Sequence, residues 1–348
     1  MIKALVIDDS AYNRVTISRM LETHPHIKVV GSAVDGEDGI KQVLRMKPDV
    51  ITLDLEMPVM DGFSFLRWVM ANRPTAVIVV SSRSSDKSVF KALELGALDF
   101  IVKPGGRVST KLLEIEQDLV AKVLQVADVR LDNLARLAHE EAAEKEKTAG
   151  DMETCAGGIE LVVIGASTGG PPALQHLFES LQKLPLACVV AQHMPPTFTR
   201  LFAERVNRLS AYDVKEAEDW EPIKPGTVYI APGGQQTEVK RGADGLYLRV
   251  TSPRPADLYA PSIDQLFRSA AEACGDHLVA VVLTGMGDDG SRGLPDVRGR
   301  GGKTIAESSE TAIIFGMPNA AVKTGAVMEV LPLHDIAPAI RRLCVGGV

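Results

Sequence analysis

Aromatic residues are scarce, 5% of 348, and no apolar run approaches the ~20 residues that cross a bilayer, so no membrane insertion is expected. Basic residues are outnumbered: 38 Lys and Arg against 45 Asp and Glu leave a formal net charge of −7. Phosphate backbones are gripped through clustered Lys and Arg, which excludes a general nucleic-acid binder. Cysteine is sparse too. Cys155, Cys188, Cys274 and Cys344 lie far apart and form no metal or redox pair. Buried or inert free thiols and a cytoplasmic home are the expectation. The opening segment turns acidic at Asp8, too soon for a secretory signal.

What the chain does have is carboxylates at the ends of apolar runs. Lys3–Ile7 delivers Asp8 and Asp9, Val50–Leu53 delivers Asp54, and Phe100–Val102 delivers Lys103. In an open parallel sheet functional groups gather where strands end, so these sets meet at one rim. Crowded carboxylates repel unless a divalent cation joins them, and an all-oxygen donor set suits Mg²⁺. The Lys103 ammonium then holds phosphoryl oxygens as a point charge, and Ser81, ending Val77–Val80, offers a hydroxyl to the same group. Taken singly, each is equally well a polar residue of a loop. Their shared placement at successive strand ends favours a phosphorylatable aspartate pocket.

Residues 1–125 accordingly resemble a two-component response-regulator receiver domain. The resemblance rests on Asp8-Asp9-Ser10, on Asp54-Leu-Glu-Met-Pro-Val-Met-Asp-Gly62 and on Lys103-Pro104. It implies a flavodoxin-like (βα)5 fold and phosphotransfer to Asp54 from a histidine kinase. It also implies Mg²⁺ on Asp9, Asp54 and the Glu56 carbonyl, with Asp8 helping through water. Phe100 takes the place of the family's aromatic switch residue, which moves inward as the hydroxyl of Ser81 turns to the phosphate.

Five strand–helix alternations fill residues 1–105, with a helix at Lys87–Leu95 and a fifth from about Val108 to Gln125. Residues 126–158 then carry a charge run and little to bury, which reads as a solvated, partly helical linker. A second α/β pattern occupies 159–348. Strands are expected at Ile159–Ile164, Leu186–Ala191, Thr227–Ala231, Leu278–Leu283 and Lys303–Ala306. A β-hairpin is expected from Thr237–Lys240 and Leu246–Val250 around Gly242-Ala-Asp-Gly245. The prediction is a doubly wound, mainly parallel sheet with one antiparallel excursion.

In this half, Gly165-Ala-Ser-Thr-Gly-Gly170 follows a strand, and Pro171-Pro172 open a helix running to about Leu181. Ser167 is thereby presented near a helix N-terminus, where free N–H groups favour negative charge. A nucleophile there needs a base, and His193 follows the next strand. Thr284-Gly-Met-Gly-Asp-Asp-Gly290 follows a third, offering Asp288 or Asp289 to orient the imidazole. Each element has a plainer reading: a phosphate-cradling loop, a structural histidine, a capped turn. The nucleotide reading lacks an acidic residue ending the second strand, where Gln192-His193 stands instead. The chain order Ser, His, Asp is none of the three familiar hydrolase orders.

Residues 159–346 resemble the catalytic domain of the chemotaxis protein-glutamate methylesterases, and the two-domain plan matches them throughout. The motifs are Gly165–Gly170, Gln192-His-Met-Pro195, Tyr229-Ile-Ala-Pro-Gly233, Pro261-Ser-Ile-Asp264, Leu283–Gly290 and Phe315-Gly-Met-Pro318. The resemblance selects Asp289 as the acid beside Ser167 and His193, with Thr168 and the Met286 N–H bordering the oxyanion site. It implies hydrolysis of glutamyl γ-methyl esters, and deamidation of glutamines, on chemoreceptors. No cofactor is implied in this half. A receiver covering the Ser167 rim would exclude a helical substrate until Asp54 is phosphorylated. One departure is Tyr259-Ala260, where the family often has His-Arg. The alternatives are a receiver-controlled hydrolase of some other ester and a non-enzymatic signalling adaptor.

Overall fold

The computed structural model describes residues 1–82, 86–103, 115–134 and 158–345, without the side chains of residues 82, 86, 87, 127 and 128. Pro104, the first half of the helix expected from Val108, Cys155 and most of the expected linker lie outside these residues. The chain divides into two compact units, Met1–Ala142 and Ala143–Val348.

The first unit alternates strands β1 (Ile2–Ile7), β2 (Ile27–Ala33), β3 (Val50–Leu53), β4 (Ala76–Ser82) and β5 (Asp99–Lys103) with helices α1 (Ala11–Glu22), α2 (Gly36–Met46), α3 (Gly62–Asn72), α4 (Asp86–Glu94) and α5 (Glu116–Leu124). The sheet runs β2-β1-β3-β4-β5, every pair parallel. The chain opens at β1 and steps to opposite sides, so the ends of β1 and β3 adjoin at a topological switch point. Side chains at helix starts fix where the helices begin. Ser10, Asp35 and Asp61 each accept a backbone N–H from their own helix, satisfying a donor that would otherwise be unpaired.

The second unit is built on seven parallel strands in the order β14-β13-β12-β6-β7-β9-β8. They are β6 (Leu161–Ala166), β7 (Ala187–Gln192), β8 (Asp213–Glu216), β9 (Thr227–Ile230), β12 (Leu278–Val282), β13 (Lys303–Glu307) and β14 (Glu329–Leu331). β6, β7 and β12 are buried at every position, as expected of parallel strands covered on both faces by connecting segments. Helices α6 (Gly170–Ser180), α7 (Pro196–Leu209) and α11 (Leu333–Val345) pack together, and α8 (Ile263–Cys274) packs against α9 (Leu294–Gly299). One core joins alternate residues of β6, β7 and β12 to α8, to Met317 and Ala321 of α10 (Met317–Lys323), and to Val239 and Leu248. The last two belong to the hairpin of β10 (Gln236–Gly242) and β11 (Gly245–Thr251), whose Gly242–Gly245 pairing leaves a two-residue turn.

Free, buried thiols are found at Cys188 and Cys274. Cys344 instead is disulfide-bonded, which corrects the expectation for that residue. Spacing along the chain says nothing of the few ångströms between Cα atoms that a bridge requires.

Candidate functional sites

At the rim of the first sheet, Asp8 and Asp54 are buried while Asp9 is exposed. Among the described residues these three offer oxygen atoms that all lie within 4.8 Å of one another. Lys103 Nζ donates to Asp8 Oδ2 at 2.8 Å and to Asp54 Oδ2 at 2.5 Å. Burial opposes the ammonium, but two adjacent carboxylates outweigh it and raise the Lys103 pKa. Asp54 shares that single cation with Asp8, so burial wins there and its carboxyl is pushed up, with the Asp8 charge adding to the shift. The donor set is therefore short of positive charge, and hard oxygen ligands fit a small divalent cation.

Ser81 and Phe100 are both buried, Ser81 near the C-terminal end of β4 and Phe100 at the start of β5, where it pairs with Val79. Sequence reasoning missed Asn13 and Arg14. Asn13 Nδ2 donates to Asp8 Oδ1 at 3.1 Å, and Arg14 Nη1 donates to the carbonyls of Asp8 and Asp9. Their position one turn into α1 was the available signal.

In the second sheet, β7, β6 and β12 are neighbours, and His193, Ser167 and Asp289 follow their C-terminal ends. The Ser167 loop is held from three sides. Its N–H donates to the Thr284 carbonyl, and its carbonyl accepts the Gly170 N–H and Gln192 Nε2. Gly169 stands at φ 77, which favours glycine. A Cβ on Gly170 would fall on the Gln192 amide and 2.9 Å from Ala166 Cβ, so this position of the turn is crowded for any larger residue.

His193 Nδ1 lies 3.2 Å from Ser167 Oγ, and His193 Nε2 lies 3.0 Å from Asp289 Oδ2. Asp289 is 3% exposed, whereas Asp288 is exposed and faces Arg292. The Asp289 carboxylate also accepts the N–H groups of Ile263, at 2.8 Å, and Asp264, at 2.9 Å, at the start of α8. Burial works against its ionisation. The hydrogen bonds from His193 and from those two N–H groups prevail and hold its carboxyl below the ordinary range. With Asp289 ionised, both ring contacts are satisfied by the tautomer carrying its proton on Nε2, leaving the Nδ1 lone pair to Ser167.

Thr168 is buried and its carbonyl accepts from Thr284 Oγ1 at 3.1 Å. Met286 is exposed, and a Cβ on the preceding Gly285 would lie 2.8 Å from Ser167 Cβ, so this segment runs alongside the serine. The sequence assigned no role to three residues that support the site. Gln192 Nε2 donates to the carbonyls of both Ser167 and His193. Fully buried Glu307 accepts the Thr284 N–H at 2.8 Å and the Thr311 hydroxyl at 2.9 Å. The Tyr259 ring stacks on His193, 4.7 Å between centroids and 6° between planes. Beside these groups a cavity of about 200 Å³ is lined by Tyr259, Asp264, Arg268, Asp288, Asp289 and Arg292, among others.

Family models match both units: CheB methylesterase over residues 162–340, and response regulator receiver domain over residues 4–113. The chain belongs to the CheB methylesterase family. It is 46% identical over 361 residues to the protein-glutamate methylesterase/protein-glutamine glutaminase 3 of Geobacter sulfurreducens, covering 99% of this chain and 97% of that protein. To the protein of that name numbered 1 from Myxococcus xanthus it is 48% identical over 345 residues, with the same coverage. The crystal structure of the Thermotoga maritima CheB methylesterase catalytic domain superimposes with a TM-score of 0.52 at 40% identity, over 53% of this chain and 98% of that one. Both the receiver and the esterase readings of the family are thus met in one chain.

Proposed function

We propose that this chain is a phosphorylation-regulated protein-glutamate methylesterase and protein-glutamine glutaminase acting on chemoreceptors in the cytoplasm. The observation that carries the reading is the continuous Ser167–His193–Asp289 contact, 3.2 Å and 3.0 Å, at a rim of parallel strands. In this reading residues 1–125 are the receiver, 126–158 the linker and 159–348 the catalytic domain.

Ser167 Oγ attacks the γ-carbonyl carbon of the ester as its proton passes to His193 Nδ1. The tetrahedral oxyanion is met by N–H groups about Thr168 and Met286. The bond to the methoxy oxygen breaks, His193 returns the proton to it, and methanol leaves an acyl-serine. Water then attacks the acyl carbon, giving its proton to His193. The serine ester bond breaks, the proton returns to Oγ, and glutamate is released. Asp289 keeps the imidazole proton on Nε2 and stabilises the imidazolium. A glutamine side chain follows the same course with ammonia leaving, and more slowly, because methoxide is the better leaving group.

In the receiver, Asp54 takes a phosphoryl group from a histidine kinase, and Lys103 holds its oxygens, with Ser81 and Phe100 as the responding pair. Mg²⁺ fits Asp8, Asp9, Asp54 and the Glu56 carbonyl, where it would neutralise charge on the phosphoryl oxygens. Phosphorylation adds roughly −1.5 to −2 charge. Carrying access to the serine from mostly closed to mostly open then takes a differential of about 5 kcal/mol.

The test is methanol release from methylated receptor membranes, with and without a small phosphodonor and Mg²⁺. Release that rises with the phosphodonor and is abolished by Ser167→Ala is the expected result. A silent wild type would sink the receptor-esterase reading, and an active Ser167→Ala variant would sink the triad.

A further inference from the structure

The two hydrogen bonds of His193 fix the ring along the line between its nitrogens. They oppose displacement perpendicular to the ring only weakly, since a small shift of that kind changes those distances little. Such a shift still carries the Nδ1 lone pair off the line to Ser167 Oγ. The group that addresses it is the phenol ring of Tyr259, parallel to the imidazole within 6° at a centroid distance of 4.7 Å. That is the offset-stacked range in which aromatic pairs attract beyond simple burial.

Tyr259 is itself held firmly. Gln236, 2% exposed, donates through Nε2 to the Tyr259 carbonyl at 2.7 Å and to Asp257 at 3.2 Å. Its Oε1 accepts the Ser262 N–H at 2.8 Å, so a single amide spans the segment from Asp257 to Ser262. Gly234 N–H donates to the Ala260 carbonyl at 3.0 Å. At the far end of the ring, a Cβ on Gly287 would lie 3.1 Å from the Tyr259 hydroxyl. The phenol therefore reaches from the face of the base to the turn that follows Met286.

We propose that Tyr259 is a positioning residue for the base: its flat face fixes the plane of the His193 imidazole and keeps water from that side of it. This deepens the esterase reading and rests on it. A ring held in plane reaches the transition state with less reorganisation, so the effect falls on turnover and not on substrate affinity.

The experiment measures kcat and apparent KM for methanol release from methylated receptor membranes by the full-length chain with phosphodonor and Mg²⁺. Tyr259→Phe, Tyr259→Leu and Tyr259→Ala are compared, with the thermal midpoint of each as a folding control. Phenylalanine keeps the flat face and should hold kcat within about twofold of wild type. Leucine fills much of the volume without a flat face, and it and alanine should lower kcat about tenfold at unchanged KM, the scale of one stacked pair. A leucine variant with wild-type kcat would overturn the proposal while leaving the esterase intact. So would phenylalanine failing as badly as alanine through KM, which would make the hydroxyl a substrate contact. Silence of wild type and phenylalanine variant alike would instead remove the esterase reading beneath it.

Discussion

Asp289 Oδ2 meets His193 Nε2 at 3.0 Å and the Ile263 N–H at 2.8 Å, so one oxygen both orients the imidazole and caps a helix. The proposed catalytic geometry and the stability of the fold are coupled at this atom.

Asp289→Asn separates the two. An amide keeps the shape but has one acceptor oxygen for the Ile263 and Asp264 N–H groups and the imidazole together. Initial-rate kinetics should show kcat falling about 10³- to 10⁴-fold through loss of the correct tautomer. Denaturant unfolding should show a loss of about 1–3 kcal/mol from donors left without partners. A variant that lost activity with unchanged stability would mean that the helix start does not depend on this carboxylate.

The pH dependence has a definite sign. The Asp289 pKa is lower in the folded chain than in the unfolded one. Its ionised form therefore stabilises the fold at every pH above the ordinary carboxylate value of roughly 4. That contribution fades as pH falls through the lowered folded value. The stability gap between wild type and Asp289→Asn should be level at neutral pH and narrow below roughly pH 4, as read by unfolding across a pH series. A gap that widens on acidification would contradict the assignment.

Asp54 carries the opposite sign. Burial raises its folded pKa, so its ionised form at neutral pH costs stability. Asp54→Asn should stabilise the receiver unit by about 1 kcal/mol without Mg²⁺, while abolishing phosphate uptake. Adding Mg²⁺ at about 100 times its dissociation constant should stabilise wild type by about 2.7 kcal/mol and the variant by much less, reversing their order in thermal melts.

Gly285→Ala tests the close approach beside Ser167. The added methyl would meet Met317 Sδ at 2.4 Å, which can move, and Ser167 Cβ at 2.8 Å, which is fixed by the serine backbone. Turnover should fall about 10²-fold through displacement of Ser167, while thermal melting records a loss of about 1–3 kcal/mol. Wild-type kcat in this variant would show that the loop yields freely.

The strands that carry chemistry were legible because parallel strands buried on both faces read as unbroken apolar runs. β6, β7 and β12 stand within about two residues of their expected positions. Edge strands did not announce themselves: Asp213-Val-Lys-Glu216 and Glu329-Val-Leu331 are short and partly polar, and pair only because a neighbouring strand is already there. Ser167 and His193 could be read from strand ends. Asp288 and Asp289 could not be told apart from the residues alone, since burial against the α8 start distinguishes them and no local pattern encodes it. Tyr259 was visible only as a departure from a familiar motif, Gln192 only as a motif residue without a role, and Glu307 not at all. Their work is across the chain, at contacts that periodicity does not describe.

The order β12-β6-β7 puts Ser167 between the strands that bring its two partners. Adjacent strands lie ~4.8 Å apart because backbone hydrogen bonding sets that spacing. The approach of Ser167 to His193 is thus set by the adjoining ends of β6 and β7, one residue beyond each strand. A residue inserted between either strand end and its functional side chain should therefore separate the pair while leaving the sheet itself intact.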